Sequence, residues 1–284
     1  VEVLDRTQVI LQIFAERARS KEAKMQVQYA TLQYMLPRLV GLRENLSRQG
    51  GSGGAGLSNR GAGEKKIELD KRKIQEEMAF LRRECKKQEE VRRVKRQKRE
   101  KSNIPRIALV GYTNAGKSSL MNAILDWSME GQKEKVEEKD MLFATLDTTI
   151  RHVKGERGEE FLFADTVGFI RDLPPKLLDA FHSTLEEAIE ADLILQVVDY
   201  SDPNYQKHMD STLATLKKLE ASHIPMIYVM NKCDKVLPLS ELPKKRGEKL
   251  YISVKEGIGI SELMEAVSEK ASANLRPLSI LLTY

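Results

Sequence analysis

The sequence predicts an α/β fold, a mostly parallel sheet covered by helices, preceded by an antiparallel coiled-coil hairpin of two helices. Three observations carry this. Apolar runs at Ile107–Val110, Phe161–Ala164, Leu193–Val198 and Met226–Met230 have the length of buried strands, and helical stretches around Leu177–Ile189 and His208–Leu219 separate the later ones. Ahead of them, two stripes of apolar residues repeat at heptad spacing. Between the stripes lies a segment dense in glycine. A chain of 284 residues also suggests roughly two domains at about 150 residues each.

Along the chain, Asp5 to Gln8 reads as a helix start, an aspartate form of the capping box. Beyond it Met25, Tyr29, Leu32, Leu36, Leu39 and Leu46 form the first stripe, with Pro37 expected to kink the helix. Gly50 to Gly63 holds seven of the 17 glycines, so neither helix nor strand is expected there. Ile67, Ile74, Met78, Leu81 and Cys85 form the second stripe. The glycine segment is longer than the roughly 2–8 residues that a simple reversal needs, so it reads either as a disordered connection or as a probe for a narrow polyanionic site. The expected domains are a hairpin at 1–102 with its loop at 50–63, an α/β domain at 103–276, and the start of a further segment at 277–284. A chain that opens on Val1 and ends on the apolar run 278–282 reads as cut from a longer protein.

Composition narrows the function classes. The formal net charge is +5. Between Lys86 and Lys101 nine basic residues face three acidic ones, so this stretch carries +6 and the remainder −1. Such a run is either a solvated helix face or a footprint for a polyanion, nucleic acid above all. Only Val91 and Val94 are apolar there, too few for a membrane-surface helix. No stretch approaches the ~18 apolar residues of a membrane span. Two cysteines, Cys85 and Cys233, make no disulfide framework, and no Cys/His cluster has zinc spacing.

The chemistry begins after the first predicted strand. Gly111-Tyr112-Thr113-Asn114-Ala115-Gly116-Lys117-Ser118 fits G-x-x-x-x-G-K-[ST], with Ser119 next in the helix. Glycines let the backbone curl so that its N–H groups face phosphates, and the helix N-terminus adds its positive dipole end. Lys117 reaches the β- and γ-phosphates, and the Ser118 hydroxyl coordinates Mg²⁺. Asn114 either supports a monovalent cation such as K⁺ or simply tolerates a left-handed backbone. Asp165-Thr166-Val167-Gly168 follows a strand; Asp165 can hold a water on Mg²⁺, and the Gly168 N–H can reach the γ-phosphate. Asn231-Lys232-Cys233-Asp234 follows another. The Asp234 carboxylate can accept from guanine N1–H and N2–H₂, a pair adenine cannot offer, while Lys232 lays its stem along the base. Ser253-Val254-Lys255 could close over the guanine. His152, His182, His208 and His223 have no carboxylate or nucleophile pattern and read as surface or packing residues, and Trp127 has no base-stacking platform around it. Arg151 and Arg171 carry no assigned role.

These motifs together resemble the translation-factor-related P-loop GTPases, and most closely the HflX family. Phe143-Ala144-Thr145-Leu146-Asp147 resembles that family's first switch and Asp165-Thr166-Val167-Gly168-Phe169 its second, and the glycine segment running into Gly61-Ala62-Gly63-Glu64 and a basic helix is similar to its helical region. The resemblance implies that Thr145 is the Mg²⁺-binding switch threonine, with Thr148 and Thr149 as rivals, and that Lys117, Thr145 and Gly168 serve hydrolysis. It implies a cytoplasmic, monomeric GTPase that binds the large ribosomal subunit and its rRNA and splits or rescues stalled ribosomes. Roles in large-subunit assembly, or as a GTP-gated RNA clamp with negligible hydrolysis, are the alternatives. The family's Ser-Ala is Ser253-Val254 here, which a backbone contact survives. Phe169 stands where many GTPases place a water-orienting Gln, so turnover is expected to be slow alone and raised by a partner.

Overall fold

The structure, a computed structural model, describes residues 3–49, 57–100, 104–128, 148–155, 158–168 and 188–273. Three helices form one compact unit. Helix α1 (Arg6–Arg17) starts at the expected box: Gln8 N donates to Asp5 Oδ1 at 2.9 Å, and Asp5 N donates to Gln8 Oε1 at 3.0 Å. The same carboxylate accepts from the Tyr34 hydroxyl and the Arg38 guanidinium. Its bonds from Tyr34 and the Gln8 amide hold its pKa down to about 2. The box therefore both starts α1 and ties it to the next helix.

The chain then breaks. Ala18 turns extended, and Ser20 Oγ accepts from Ala23 N at 3.0 Å, a fresh N-cap. Helix α2 (Lys21–Gln49) continues past Pro37; one proline removes one helical hydrogen bond without ending it. Helix α3 (Leu57–Glu100) corrects the expectation that no helix survives Gly50–Gly63. The backbone from Leu57 onward is helical, Gly61 and Gly63 included, while residues 50–56 lie outside the described residues. Each helical glycine costs about 1 kcal/mol against alanine. A helix of 44 residues nucleates elsewhere and then gains one hydrogen bond per added residue, which carries it through both.

The two long helices run antiparallel. Gln28 Nε2 donates to Glu77 Oε1 at 2.5 Å. Glu84 has its pKa lowered by Lys87 and, from across the hairpin, by Lys21. Seven residues back along α2 thus match seven forward along α3. Met25 and Leu81 are buried, and Tyr29, Leu32, Leu36, Ile74, Met78 and Cys85 are half-buried, so the heptad stripes form the seam. The side chains of Leu39, Leu46 and Ile67 lie outside the described residues.

The second unit is a seven-stranded sheet with helices. Its elements are β1 (Arg106–Gly111), α4 (Lys117–Trp127), β2 (Thr149–Lys154), β3 (Glu160–Asp165), β4 (Leu193–Asp199), α5 (Tyr205–Lys218), β5 (Met226–Asn231), β6 (Lys244–Arg246), β7 (Lys249–Tyr251) and α6 (Ile260–Ala273). The order across the sheet is β2-β3-β1-β4-β5-β7-β6. The five central strands are parallel, as expected, and the edge strands β2 and β6 pair antiparallel to their neighbours. Neither edge strand is legible as an apolar run: β2 buries only Val153, and β6 is Lys-Lys-Arg. Most of the expected helix at 177–189 lies outside the described residues.

Period-2 alternation divides the core. Ile107, Leu109, Phe163 and Leu195 pack with Leu120 and Ile124 of α4 and Leu263 and Val267 of α6. Val198 and Met230 point the other way, toward Met209 of α5. Trp127 packs against the first cluster, a structural role. Phe163 is fully buried there, edge-on to Phe161 at 6.3 Å. Phe163→Ala is expected to cost about 3–5 kcal/mol of stability, read as a lowered urea midpoint; a change below ~1 kcal/mol would mean that this face is not the core.

Candidate functional site

Parallel strands place their C-terminal ends along one edge of a sheet, where ligands bind in open α/β folds. Five chain segments converge there. β1 runs into the phosphate loop Gly111–Ser118, β3 ends at Asp165, β4 at Asp199 and β5 at Asn231, and β7 leads to Ser253. The register aligns them: Leu109 lies beside Asp165, Gly111 beside Val197, and Asp199 beside Asn231. Two glycines are required by this crowding. A Cβ on Gly111 would sit 2.2 Å from Val197 O, and one on Gly116 (φ +94) 2.4 Å from Asn231 Nδ2.

At the phosphate end, Lys117 is buried and donates from Nζ to Gly111 O at 3.3 Å and Tyr112 O at 3.2 Å. Burial depresses its pKa to about 8, against the opposing pull of Asp165. Ser118 Oγ donates to Asp165 Oδ2 at 2.8 Å, and Asp165 is fully buried. A hydroxyl and a carboxylate brought together beside a phosphate loop are the hard oxygen donors that Mg²⁺ takes, so these residues fit the ion. Thr166 Oγ1 donates to Leu109 O at 2.7 Å, anchoring the turn after β3. Gly168 closes against the loop: a Cβ there would meet Thr113 Cγ2 at 2.9 Å and Lys117 Nζ at 3.0 Å. Val167 is buried.

At the other end, Asn231 is a brace. Its Nδ2 donates to Ala115 O at 3.0 Å, and its Oδ1 accepts from Val254 N at 3.2 Å. Lys232 (φ +61) donates from Nζ to Asn114 O and Asp199 Oδ2, each at 2.8 Å. Ser253 Oγ donates to Asp234 Oδ1 at 2.7 Å. Asn114 has φ +62, the left-handed backbone that was one of its two readings. Thus Tyr112 to Ser118, Asp165 to Gly168, Asn231, Lys232, Asp234, Ser253 and Val254 share one edge, with Ser119 following in α4. Phe143, Ala144, Thr145, Leu146 and Asp147 lie outside the described residues, as does Phe169. Thr148 precedes β2, and Thr149 pairs with Asp165 across the β2–β3 ladder.

Two participants escape the sequence reading. Asp199 holds Lys232 in place; burial pushes its carboxyl up, but the Lys232 and Ser201 hydrogen bonds prevail and keep it below its ordinary value. Its signal was an acidic residue ending an apolar strand. His208 packs, as expected of it, but on the phosphate loop: its ring stacks on Tyr112 at 3.8 Å and 7°. Nothing local in the sequence marks that contact, since 96 positions separate the two residues.

The family described as "GTP-binding GTPase Middle Region" matches residues 17–99, and that described as "50S ribosome-binding GTPase" matches residues 106–232. GTPase HflX of Caldanaerobacter subterraneus subsp. tengcongensis is 44% identical over 284 residues, covering 100% of this chain and 63% of that protein. GTPase HflX of Escherichia coli is 38% identical over 277 residues, covering 96% and 62%. The chain thus spans under two thirds of these relatives. Among solved structures, a GTP-binding protein from Sulfolobus solfataricus in complex with GDP superimposes with a TM-score of 0.55 at 24% identity, covering 95% of this chain and 73% of that one. That likeness concerns the fold.

The Lys117 cation has a testable pH signature. Its depressed pKa means that the folded, ligand-free protein pays for the charged form below about pH 8 and is relieved as pH rises toward the unfolded value. Phosphates favour the charged form. The Kd for a nucleoside diphosphate should therefore be flat below roughly pH 7.5 and weaken, by up to about tenfold per unit, above pH 8. In Lys117→Arg, whose guanidinium stays charged, the added weakening should vanish. An unchanged pH profile in that variant, followed by fluorescence titration, would refute the assignment.

Proposed function

The chain belongs to the HflX family of GTPases, and from that premise we propose that it binds and hydrolyses GTP and couples this cycle, on the large ribosomal subunit in the cytoplasm, to splitting or rescue of stalled ribosomes. The observation that carries the nucleotide part is the Ser253–Asp234 bond at 2.7 Å, set in a frame where Asn231 and Lys232 both hydrogen-bond the phosphate loop. A carboxylate oriented by one hydroxyl still has a lone pair on each oxygen, as a base that offers two adjacent donors requires. Guanine does so and adenine does not, and a buried acceptor facing the wrong base goes unpaired.

In this reading the Gly111–Ser118 amides and Lys117 cradle the phosphates, and the Gly168 N–H senses the γ-phosphate. Ser118, Thr145 and (through water) Asp165 would hold Mg²⁺, which when bound neutralises charge on the phosphate oxygens. Asn114 would contribute to a K⁺ site at the β/γ-phosphates, a role that a rate indifferent to exchanging K⁺ for Na⁺ would remove. All of the +6 run from Lys86 to Lys101 but its last residue falls in the end of α3, whose described range closes at Glu100, and such a run suits rRNA phosphates. No described helix is long and apolar enough to cross a membrane. Phe169 in place of a glutamine also supports a second reading, a GTP-gated clamp on RNA whose hydrolysis is negligible.

Two measurements test this. Hydrolysis of GTP by this chain with and without purified large subunits should be slow alone and rise at least tenfold with them; GTP binding with no stimulation would favour the clamp. Asp234→Asn should lose guanine affinity by about a hundredfold and gain affinity for xanthosine diphosphate, whose C2 carbonyl accepts from the new amide. Unchanged GDP binding in that variant would overturn the guanine assignment.

A further inference from the structure

The phosphate loop is held on both sides of Thr113, and both contacts are anchored at the turn between β4 and α5. On one side, Asn114 O accepts from Lys232 Nζ, which Asp199 holds at 2.8 Å. On the other, the ring of Tyr112 lies flat on the imidazole of His208, with centroids 3.8 Å apart and planes 7° apart. His208 stands in the first turn of α5. The turn that carries it is itself braced. Asp202 N donates to Asp199 O at 3.4 Å, Tyr205 N to Asp202 O at 2.9 Å, and His208 N to Asn204 O at 3.1 Å. Asp202 Oδ1 accepts from Asn204 N at 2.7 Å, and Asp202 Oδ2 lies 3.5 Å from His208 Nδ1. The helix start and the carboxylate together set the plane of the imidazole.

Tyr112 matters to the loop through its carbonyl. Tyr112 O accepts from Ala115 N at 3.3 Å, which closes the curl, and from Lys117 Nζ at 3.2 Å. One carbonyl thus sets both the bend of the loop and the place of its cation. Side-chain rotamers and backbone angles are coupled. A Tyr112 ring pinned against α5 therefore restricts the φ and ψ of Tyr112, and with them the direction of that carbonyl. Core packing does not account for the stack: both residues are half-buried, and neither belongs to the two core clusters of the sheet. Stacked rings contribute beyond the area they bury, and the geometry asks for a flat partner. An aliphatic side chain of similar volume would fill the space without fixing the plane.

We propose that His208 is a positioning residue for nucleotide binding, an inference that rests on the nucleotide reading above. It acts through Tyr112. The stack holds the Tyr112 carbonyl, and through it the curl of the loop and Lys117, in the arrangement that receives a β-phosphate. A site that is only partly populated in its binding-competent form loses apparent affinity by that fraction, and His208 raises the fraction in the empty protein.

The test compares GDP and GMP binding by fluorescence titration in the whole chain and in its His208→Ala, His208→Leu and His208→Phe variants. GMP lacks the β-phosphate that Lys117 reaches, so a defect confined to the loop falls on GDP. In His208→Ala the Kd for GDP should rise about fivefold, while that for GMP changes by less than about twofold. His208→Leu should behave like His208→Ala, and it carries the same expectation if the alanine variant does not fold. His208→Phe keeps a flat ring against Tyr112 and should restore the Kd for GDP to within about twofold of the unaltered chain. A residue that only stabilises the fold would weaken both nucleotides together. An unchanged Kd for GDP in a folded His208→Ala or His208→Leu, equal losses for GDP and GMP, or no recovery in His208→Phe would overturn the proposal alone. An unaltered chain without affinity for GDP would overturn the nucleotide reading, and this proposal with it.

Discussion

One ammonium group joins most of the functional edge together. Lys232 Nζ sits 2.8 Å from both Asn114 O on the phosphate loop and Asp199 Oδ2 at the end of β4, while its own backbone leaves β5. Three chain segments that meet nowhere else in sequence are thereby fixed by a charge-assisted pair and one carbonyl bond. Asn231, one residue earlier, repeats the bracing to Ala115 and Val254. The loop that would cradle phosphate is thus held in shape from the base end, before any ligand arrives. Pre-organisation of this kind lowers the ordering cost of binding.

The charges at the phosphate end are balanced differently. Lys117 is buried with two carbonyls as partners and with Asp165 as its nearby countercharge, and it keeps its proton only reluctantly. Asp165 is buried at the end of β3 and bonded by Ser118. Each of these groups is costly where it stands. Their cost is consistent with a site whose partners are phosphate oxygens and a divalent cation rather than other side chains.

The helical unit relies on a comparable economy. Asp5 caps α1, and the same carboxylate receives Tyr34 and Arg38 from α2. The capping signal was readable because it lies within four residues. The bonds from α2 were not, because nothing in the local pattern of Tyr34 or Arg38 says which acid they meet. Gly50–Gly63 shows the opposite error. Composition alone argued against helix, yet α3 begins at Leu57, because helix elongation is cooperative and local propensity is a weak prior.

Local sequence determined the motifs and their order: the phosphate loop after β1, Asp165 after β3, Asn231 to Asp234 after β5, Ser253 after β7, and the heptad seam of the hairpin. These are set by neighbours a few residues apart, through turns, caps and apolar periodicity, and so they can be read from a string. Tertiary structure alone decided that β2 and β6 form the sheet edges, that Asp199 holds Lys232, and that His208 lies flat on Tyr112. Each of those depends on which segments the sheet order brings side by side. Pairing across 33 residues from Asp199 to Lys232, or 96 from Tyr112 to His208, leaves no periodic trace along the chain, because the energy that selects it comes from packing and desolvation of the folded edge and not from the conformational preference of any one residue.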